Sequence, residues 1–443
     1  MKKKIMMCFL LLVLLSVAVG CAVKPYSKVI EIPLIKDNSY PNRGYGQSCA
    51  KALATPDDNI VLLSTMNAQY VVEKGSEIHV MKINLKGKIQ WYKVIEGSIG
   101  YNQRMMLTKN NNLLIIGRNN VGCSFLLELD LDGNVVQSIV FKNLAEIRDL
   151  VETSNGDFIL LARVFGTTRR KTSMSWFRIT REEKIVWSYN ASRHDLKHIV
   201  AISDSTYLMS SSIVHVSSPE HYRFSGILNI INEQGKSIKE IHLDRATILG
   251  MTKFNEFNIV IINQYIYAFD NDLNILWNTT NLGNIFVETD FLYSYFFYRD
   301  AEMMEYLLLE KCDNMGLIKD KQQFRNQNYK NYSTTYSDFL SIKNKKYLAG
   351  IYTTSIDNTP SRIFLNRLTD KQNCVFQNSN DSLNISEARE FDYKIVEVSS
   401  FFYDNSHITF LPTTLKIKTL TDFKTKIYNT CDIEEFIYKP ITK

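Results

Sequence analysis

Hydrophobic and polar positions alternate along this chain in short runs, broken at regular intervals by Asn, Asp and Gly. The stretch Met105–Lys142 shows the pattern most fully. Its apolar runs Met105–Thr108, Leu113–Gly117, Phe125–Asp130 and Val135–Phe141 read as four antiparallel strands. Polar residues Asn110–Asn112 part the first two, and Asp132-Gly133-Asn134 part the last two. Asp-Gly between β-branched runs signals a tight hairpin, because Gly takes up positive φ without steric cost. One such sheet cannot bury both of its faces alone, so the unit has to recur and stack.

It does recur. Polar turns at Pro56–Asn59, Asn110–Asn112, Asn155-Gly156-Asp157, Asp204-Ser205-Thr206, Asn255–Asn258 and Lys343–Lys346 each precede an apolar run. A degenerate sixth unit falls in Phe286–Gly316, with its turn expected near Arg299–Glu302. The second halves recur as well: Ile78–Asn84 is followed by Gly87–Trp91, Trp176–Thr180 by Lys184–Trp187, Ile227–Asn232 by Gly235–Ile241, and Tyr265–Asp270 by Leu273–Trp277. A period of about 45–50 residues with four short strands per unit matches propeller blades. No unit offers a 3.6-residue apolar stripe of helix length, which excludes helical solenoids. The expectation is an all-β β-propeller of seven four-stranded blades over residues 37–378.

The chain ends bear on that number. Val29–Ile35 reads as a fourth, outer strand that closes the ring. After a strand at Cys374–Gln377, taken as the fourth of unit seven, a polar linker leads to strand-like runs at Lys394–Tyr403, His407–Leu411 and Leu415–Leu420. Residues 379–443 are either a β-rich extension packed on the ring or three strands of an eighth blade completed by Val29–Ile35.

The first twenty residues are an address. Lys2, Lys3 and Lys4 precede the apolar run Ile5–Val17, which is too short to span a bilayer comfortably. Ala18-Val19-Gly20-Cys21 then resembles the lipobox of bacterial lipoproteins, which implies cleavage before Cys21 and acylation of its thiol. Residues 1–20 are thus a signal peptide and 21–36 a lipidated tether and closing strand. Ala22 after the cysteine, with no acid through Lys28, implies the outer membrane facing the periplasm, with the cell surface as the other placement. Tyr267-Ala268-Phe269-Asp270 followed by Asn274-Ile275-Leu276-Trp277 is similar to the repeats of PQQ-like propellers. That resemblance covers Gln47 to Gln377 and implies a structural role for Trp91, Trp187 and Trp277, docked between blades; Gln137 and Lys239 stand near the same place in units two and four. Propellers similar to this one carry one cysteine after the last blade and another at the end of a β-rich tail, which implies a disulfide between Cys374 and Cys431.

Composition narrows the function classes. Lys and Arg number 52 against 46 Asp and Glu; without the three signal lysines the balance is 49 to 46, a net charge of +3. That is too even for a nucleic-acid binder, and the basic cluster Arg169-Arg170-Lys171 falls where a loop is expected. The 24 Phe and 24 Tyr of a 443-residue chain can fill a large core. Leaving out Cys8 and Cys21, five cysteines remain, and none has metal-ligand spacing. Metal binding by His194 and His198, four apart, would need a helix where a loop is expected; His215 and His221 read as exposed loop residues. No P-loop, dinucleotide fingerprint or G-x-S-x-G elbow is present, and no cofactor is implied. The aromatic run Phe291–Tyr298 reads as core, with sugar stacking as the other use.

The function expected is therefore an envelope-anchored lipoprotein acting as a non-enzymatic binding or scaffold module, with a protein, peptide or glycan as ligand. The alternative is a glycan-active propeller enzyme, a lyase or hydrolase. Ionisable side chains converging at one channel mouth point to the enzyme; a broad apolar patch on a rim points to the scaffold.

Overall fold

The computed structural model describes residues 27–30, 46–67, 76–85, 88–119, 122–165, 172–191, 194–218, 221–263, 265–280, 283–288, 290–299, 305–326, 332–343, 345–354, 362–368, 376–378, 393–395, 403–404, 410–411, 417–419 and 427–429. Their regular structure is entirely β-strand. Four-stranded antiparallel units follow one another around a propeller. Unit one is Gly46–Ala54, Ile60–Asn67, Ser76–Ile83 and the start of Ile89–Leu107. Unit two is the end of that strand with Leu113–Asn119, Ser124–Leu129 and Val135–Phe141. Unit three is Leu144–Glu152, Phe158–Phe165, Thr172–Ile179 and Ile185–Asn190. Unit four is Asp195–Ala201, Thr206–Ser218, His221–Asn232 and Ser237–Leu243. Unit five is Ile248–Phe254, Phe257–Ile262, Tyr265–Phe269 and Ile275–Thr280, and unit six is Asn284–Val287, Leu292–Arg299, Glu305–Cys312 and Ile318–Asn326. The last unit joins Tyr332–Ile342, Lys345–Thr354 and Arg362–Leu368 to the N-terminal strand Ser27–Ile30, which pairs Ser27 with Asn366.

These strands hydrogen-bond into six blade sheets, where the repeat spacing predicts seven or eight blades. Ile89–Leu107 is the reason. No turn interrupts its 19 residues, so its first part pairs with Ser76–Ile83 and its second with Leu113–Asn119, and Ser98 pairs on both sides. Units one and two are thereby fused in one nine-stranded sheet. The eighth blade is also corrected. Among the described residues the strands after 370 do not pair with one another; each adds to the outer strand of a different unit, two of them within the nine-stranded sheet. Phe376–Asn378 pairs with unit six rather than completing unit seven. Tyr393–Ile395 then adds to unit four, Tyr403–Asp404 to unit three, Phe410–Leu411 to unit two, Ile417–Thr419 to unit one, and Ile427–Asn429 to Ser27–Ile30. The tail thus runs back around the circumference against the chain order, covering sheet edges that would otherwise present free N–H and C=O groups.

The core lies between neighbouring units. Leu114, Ile116 and Phe141 of unit two pack with Phe158, Leu160 and Phe177 of unit three, and Leu340, Ile342 and Tyr347 close the ring onto Ala52, Leu62 and Tyr92 of unit one. Because both faces of each sheet meet a neighbour, the middle strands are buried on both faces, as in Ser124–Leu129, where even Ser124 and Glu128 are buried. In the sixth unit the turn between first and second strands lies at residues 288–291, with Glu288 N–H donating to Phe291 O, and the turn expected near Arg299–Glu302 falls at the next reversal, where residues 300–304 lie outside the described residues. The aromatic run around residue 299 is strand and carries no Asn-Gly turn signal. Tyr293 and Tyr295 of that run pack round Phe339 with ring centroids 6.0 and 5.8 Å away, which uses them as core.

Candidate functional site

Successive antiparallel strands put the turns between first and second, and between third and fourth, strands at one end of the ring. The longer connections lie at the other, here the loop end. Two features stand out at the loop end. The middle hairpin of unit four stays paired out to Ser218 opposite His221, so it reaches further than its counterparts. This places His215 and His221 on strands rather than in the loop expected; their side chains lie outside the described residues, as do Arg169, Arg170 and Lys171.

The second feature is a cluster of charge on the innermost strands of units three and four. A bulge in Leu144–Glu152 leaves Arg148 unpaired between Ile147 and Asp149, and a second leaves Lys197 unpaired beside His198. Bulges re-aim side chains. Arg148 Nε lies 3.1 Å from Glu146 Oε2, and its Nη2 lies 3.9 Å from Asp195 Oδ1. Arg163, opposite Glu146 in the register, reaches the same two oxygens at 3.9 and 4.0 Å. Below them Asp149 accepts from Arg104 at 2.7 Å and from the Ile199 N–H at 3.1 Å, with His198 Nδ1 at 3.7 Å. Each of the two outer acids is thus shared by two guanidiniums, with three of the four separations at 3.9–4.0 Å, and Arg163 and Asp195 are more than a third exposed. Such loosely held forks can exchange their partners for a ligand's carboxylate or cation.

The sequence reading missed this cluster, because its members come from four strands and no spacing connects them. The only linear hint is charge where an innermost strand should alternate. His194 and His198, by contrast, do not form a pair. His198 sits on a strand, where four residues span about 13 Å, and His194 lies before it with Nδ1 3.3 Å from Ser211 Oγ. Burial holds His194 below the usual imidazole value, against Glu240, which raises it. Among the described residues no group of His, Cys, Asp or Glu is placed to hold a metal. A Glu77–His79–Tyr92 chain has relay-like contacts, 3.3 Å from Glu77 to His79 and 2.5 Å from His79 to Tyr92, but His79 and Tyr92 are sealed in the core.

The remaining expected residues fall in two groups. Cys21, Cys374 and Cys431 lie outside the described residues; Cys123 and Cys312 are buried. Trp91, Trp187 and Trp277 each face the next unit. Their indole N–H groups donate to Leu131, Glu233 and Asn314 carbonyls at 2.9, 2.7 and 3.0 Å. Gln137 and Lys239, at the equivalent positions, donate to the Arg181 and Asp272 carbonyls. One position in each of the first five units therefore staples it to a turn of the next unit.

At the turn end the rim is apolar. Val136, Val186, Ile238 and Leu276 hold one equivalent position on the outer strands of four successive units, each 48–54% exposed. In units two, three and four the tail strands pair with the loop-end half of those outer strands and not with this half.

No protein-family model matches the chain, and neither does any curated protein sequence. Solved structures similar to it are propellers of varied kinds. The β-propeller domain of the Trilobed protease from Pyrococcus furiosus is 13% identical with a TM-score of 0.47, covering 74% of this chain and 97% of that one. The Pan2 WD40 domain of Neurospora crassa is 10% identical with a TM-score of 0.42, over 78% and 98%. The polysaccharide lyase Uly1 is 8% identical with a TM-score of 0.42, over 78% and 90%. The likeness is one of fold.

Proposed function

We propose that this chain is a lipoprotein of the bacterial envelope, held at the outer membrane through Cys21 and facing the periplasm, that acts as a non-enzymatic binding or scaffold module. The observation carrying the binding role is the rim: four aliphatic side chains, half exposed at one equivalent position of successive units, form an arc suited to an apolar strip on a protein partner. The charge cluster at the loop end supplies a second contact, for a peptide or glycan. The anchor fits the geometry. Ser27 starts its strand near the Leu368 end of Arg362–Leu368, which is the turn end. Five residues separate Cys21 from Ser27, six Cα–Cα steps, so the acylated position lies within about 22 Å of that end.

Capture of partners from native envelopes tests the binding role. Val186→Asp with Ile238→Asp should lose the partner that the parent chain retains; equal recovery by both would count against the rim. Palmitate labelling tests the anchor: the parent should be labelled and Cys21→Ser should not, and a labelled Cys21→Ser protein would defeat the assignment.

A glycan-active enzyme is the second reading, favoured by the convergence of Glu146, Arg148, Arg163 and Asp195. It requires that Glu146→Gln abolish turnover of an envelope glycan while leaving the fold intact. Unchanged products from both proteins would remove it.

A further inference from the structure

The turn between the third and fourth strands of unit six differs from its counterparts. At the tip position units two to five carry Asp132, Glu182, Gln234 and Asp272, and two residues on they carry Asn134, Lys184, Lys236 and Asn274. Unit six carries Met315 and Leu317 there, followed by Ile318, and the three are 63%, 59% and 44% exposed. These are among the most exposed large hydrophobic side chains described. The turn's one acid does not reach the tip: Asp313 accepts the Met315 and Leu317 N–H groups at 2.9 Å each and pairs with Lys319 at 2.9 Å. Behind the turn, Trp277 donates to the Asn314 carbonyl and packs on Gly316, whose φ of +74° leaves room for the indole. The tip is thus a braced hydrocarbon surface with its charge neutralised from within.

We propose that this tip inserts into the interfacial layer of the membrane that carries the lipid anchor. The inference rests on the lipoprotein reading, and two observations choose a bilayer as the occupant. The tip projects from the turn end of the ring, the end at which Ser27 begins, six residues after Cys21. Unit six is also the immediate neighbour of the last unit, which Ser27–Ile30 completes, so anchor and tip sit on the same side of the circumference. Apolar side chains dipping into the headgroup region beside an acyl anchor add a second attachment and fix orientation. The acidic tips of units two and three, Asp132 and Glu182, keep the opposite side of the ring away from the surface, so the ring stands tilted, with its loop-end cluster and the long hairpin of unit four directed to the periplasm.

Trp277 is a built-in reporter, since its ring lies against the turn. The test uses the acylated protein in vesicles of phosphatidylethanolamine and phosphatidylglycerol, with and without brominated acyl chains that quench nearby indoles. The parent should be quenched by the brominated lipid, and Met315→Glu with Leu317→Glu should lose that quenching while keeping its circular dichroism and its membrane attachment. Trp277→Phe assigns the quenched signal to this turn. Equal quenching of parent and variant, or none in the attached parent, would overturn the proposal. So would an oligomer in detergent that the variant disperses, which would give the tip to a second copy. Failure of the lipoprotein reading shows separately, as absence of palmitate label and of vesicle attachment.

Discussion

Trp91 lies over Gly133 of the following unit: a Cβ on that glycine would sit 2.9 Å from Trp91 Cδ2. Gly133 has φ +82°, and the indole N–H donates to Leu131 O two residues earlier. The relationship repeats as Trp187 over Gly235 and Trp277 over Gly316. Where the donor is Gln137 or Lys239, the turn position is Glu183 or Leu273, at φ +65° and +59°. A flat indole needs the glycine; a narrower donor does not.

Gly133→Val is therefore expected to destabilise the protein by roughly 2 kcal/mol, from the strain of a β-branched residue at positive φ and the clash with Trp91. The urea midpoint measures it. A change within experimental scatter would mean that the indole does not rest on this turn.

Glu183→Gly should act in the opposite direction. Glu183 is exposed and holds a left-handed conformation that glycine adopts freely, so the substitution should stabilise by up to about 1 kcal/mol, offset in part by the greater freedom of the unfolded chain. Thermal unfolding of the single variant is sufficient, and a lowered midpoint would contradict the argument.

Arg181 pairs with Glu128 and Glu152, whose side chains are 1% and 5% exposed. Removing the guanidinium strands two buried carboxylates between units two and three, so Arg181→Met should cost about 3 kcal/mol or more. Adding Glu128→Gln should restore part of that loss, because the stranded charge is then gone. A double variant no better than the single one would show that packing of the arginine stem, not charge, had been lost.

Acid should loosen the turns. Burial raises Asp130 and Asp270, but hydrogen bonds from Asn134 and Asn274 and from turn N–H groups together outweigh it and hold both below the usual carboxylate value. Asp313 is lowered first by Lys319 and then by its turn. A carboxyl lowered in the folded state favours folding when ionised, so this stability is complete above the unfolded value and is lost as pH falls below about 4. Asn232 makes the same turn without a charge, accepting from Gln234 and Lys236 N–H groups at 3.0 Å. Changing all three aspartates to Asn should hence flatten the acid limb of the urea midpoint against pH; an unchanged limb would place the acid sensitivity elsewhere.

Deleting the chain after residue 378 should uncover the outer edges of four of the blade sheets. Exposed edges pair with other chains, so the truncated protein is expected to associate in a concentration-dependent way, read by light scattering. A monomer across the range would show that the tail is dispensable for edge protection.

How much of this was legible in the chain follows from the range of each interaction. Turns at Asp130, Asn155 and Asp270 are local, since side chain and backbone within five residues satisfy one another, and they appear in the sequence as spacing. The alternation of apolar strands is also local, and it names a propeller because only neighbouring units can bury both faces of such sheets. The positions of Trp91, Trp187 and Trp277 were readable by their register. What they touch was not, for the carbonyl and the glycine lie some forty residues on. Tertiary structure alone decided the fusion of the first two units, because a strand running through residues 96–103 breaks no local rule. It alone joined Glu146, Arg163 and Asp195, which share no spacing, through the register of neighbouring strands. It also sent the tail back around the ring: its short strands are weak in isolation, and each finds its place only where an outer edge already offers unpaired backbone groups.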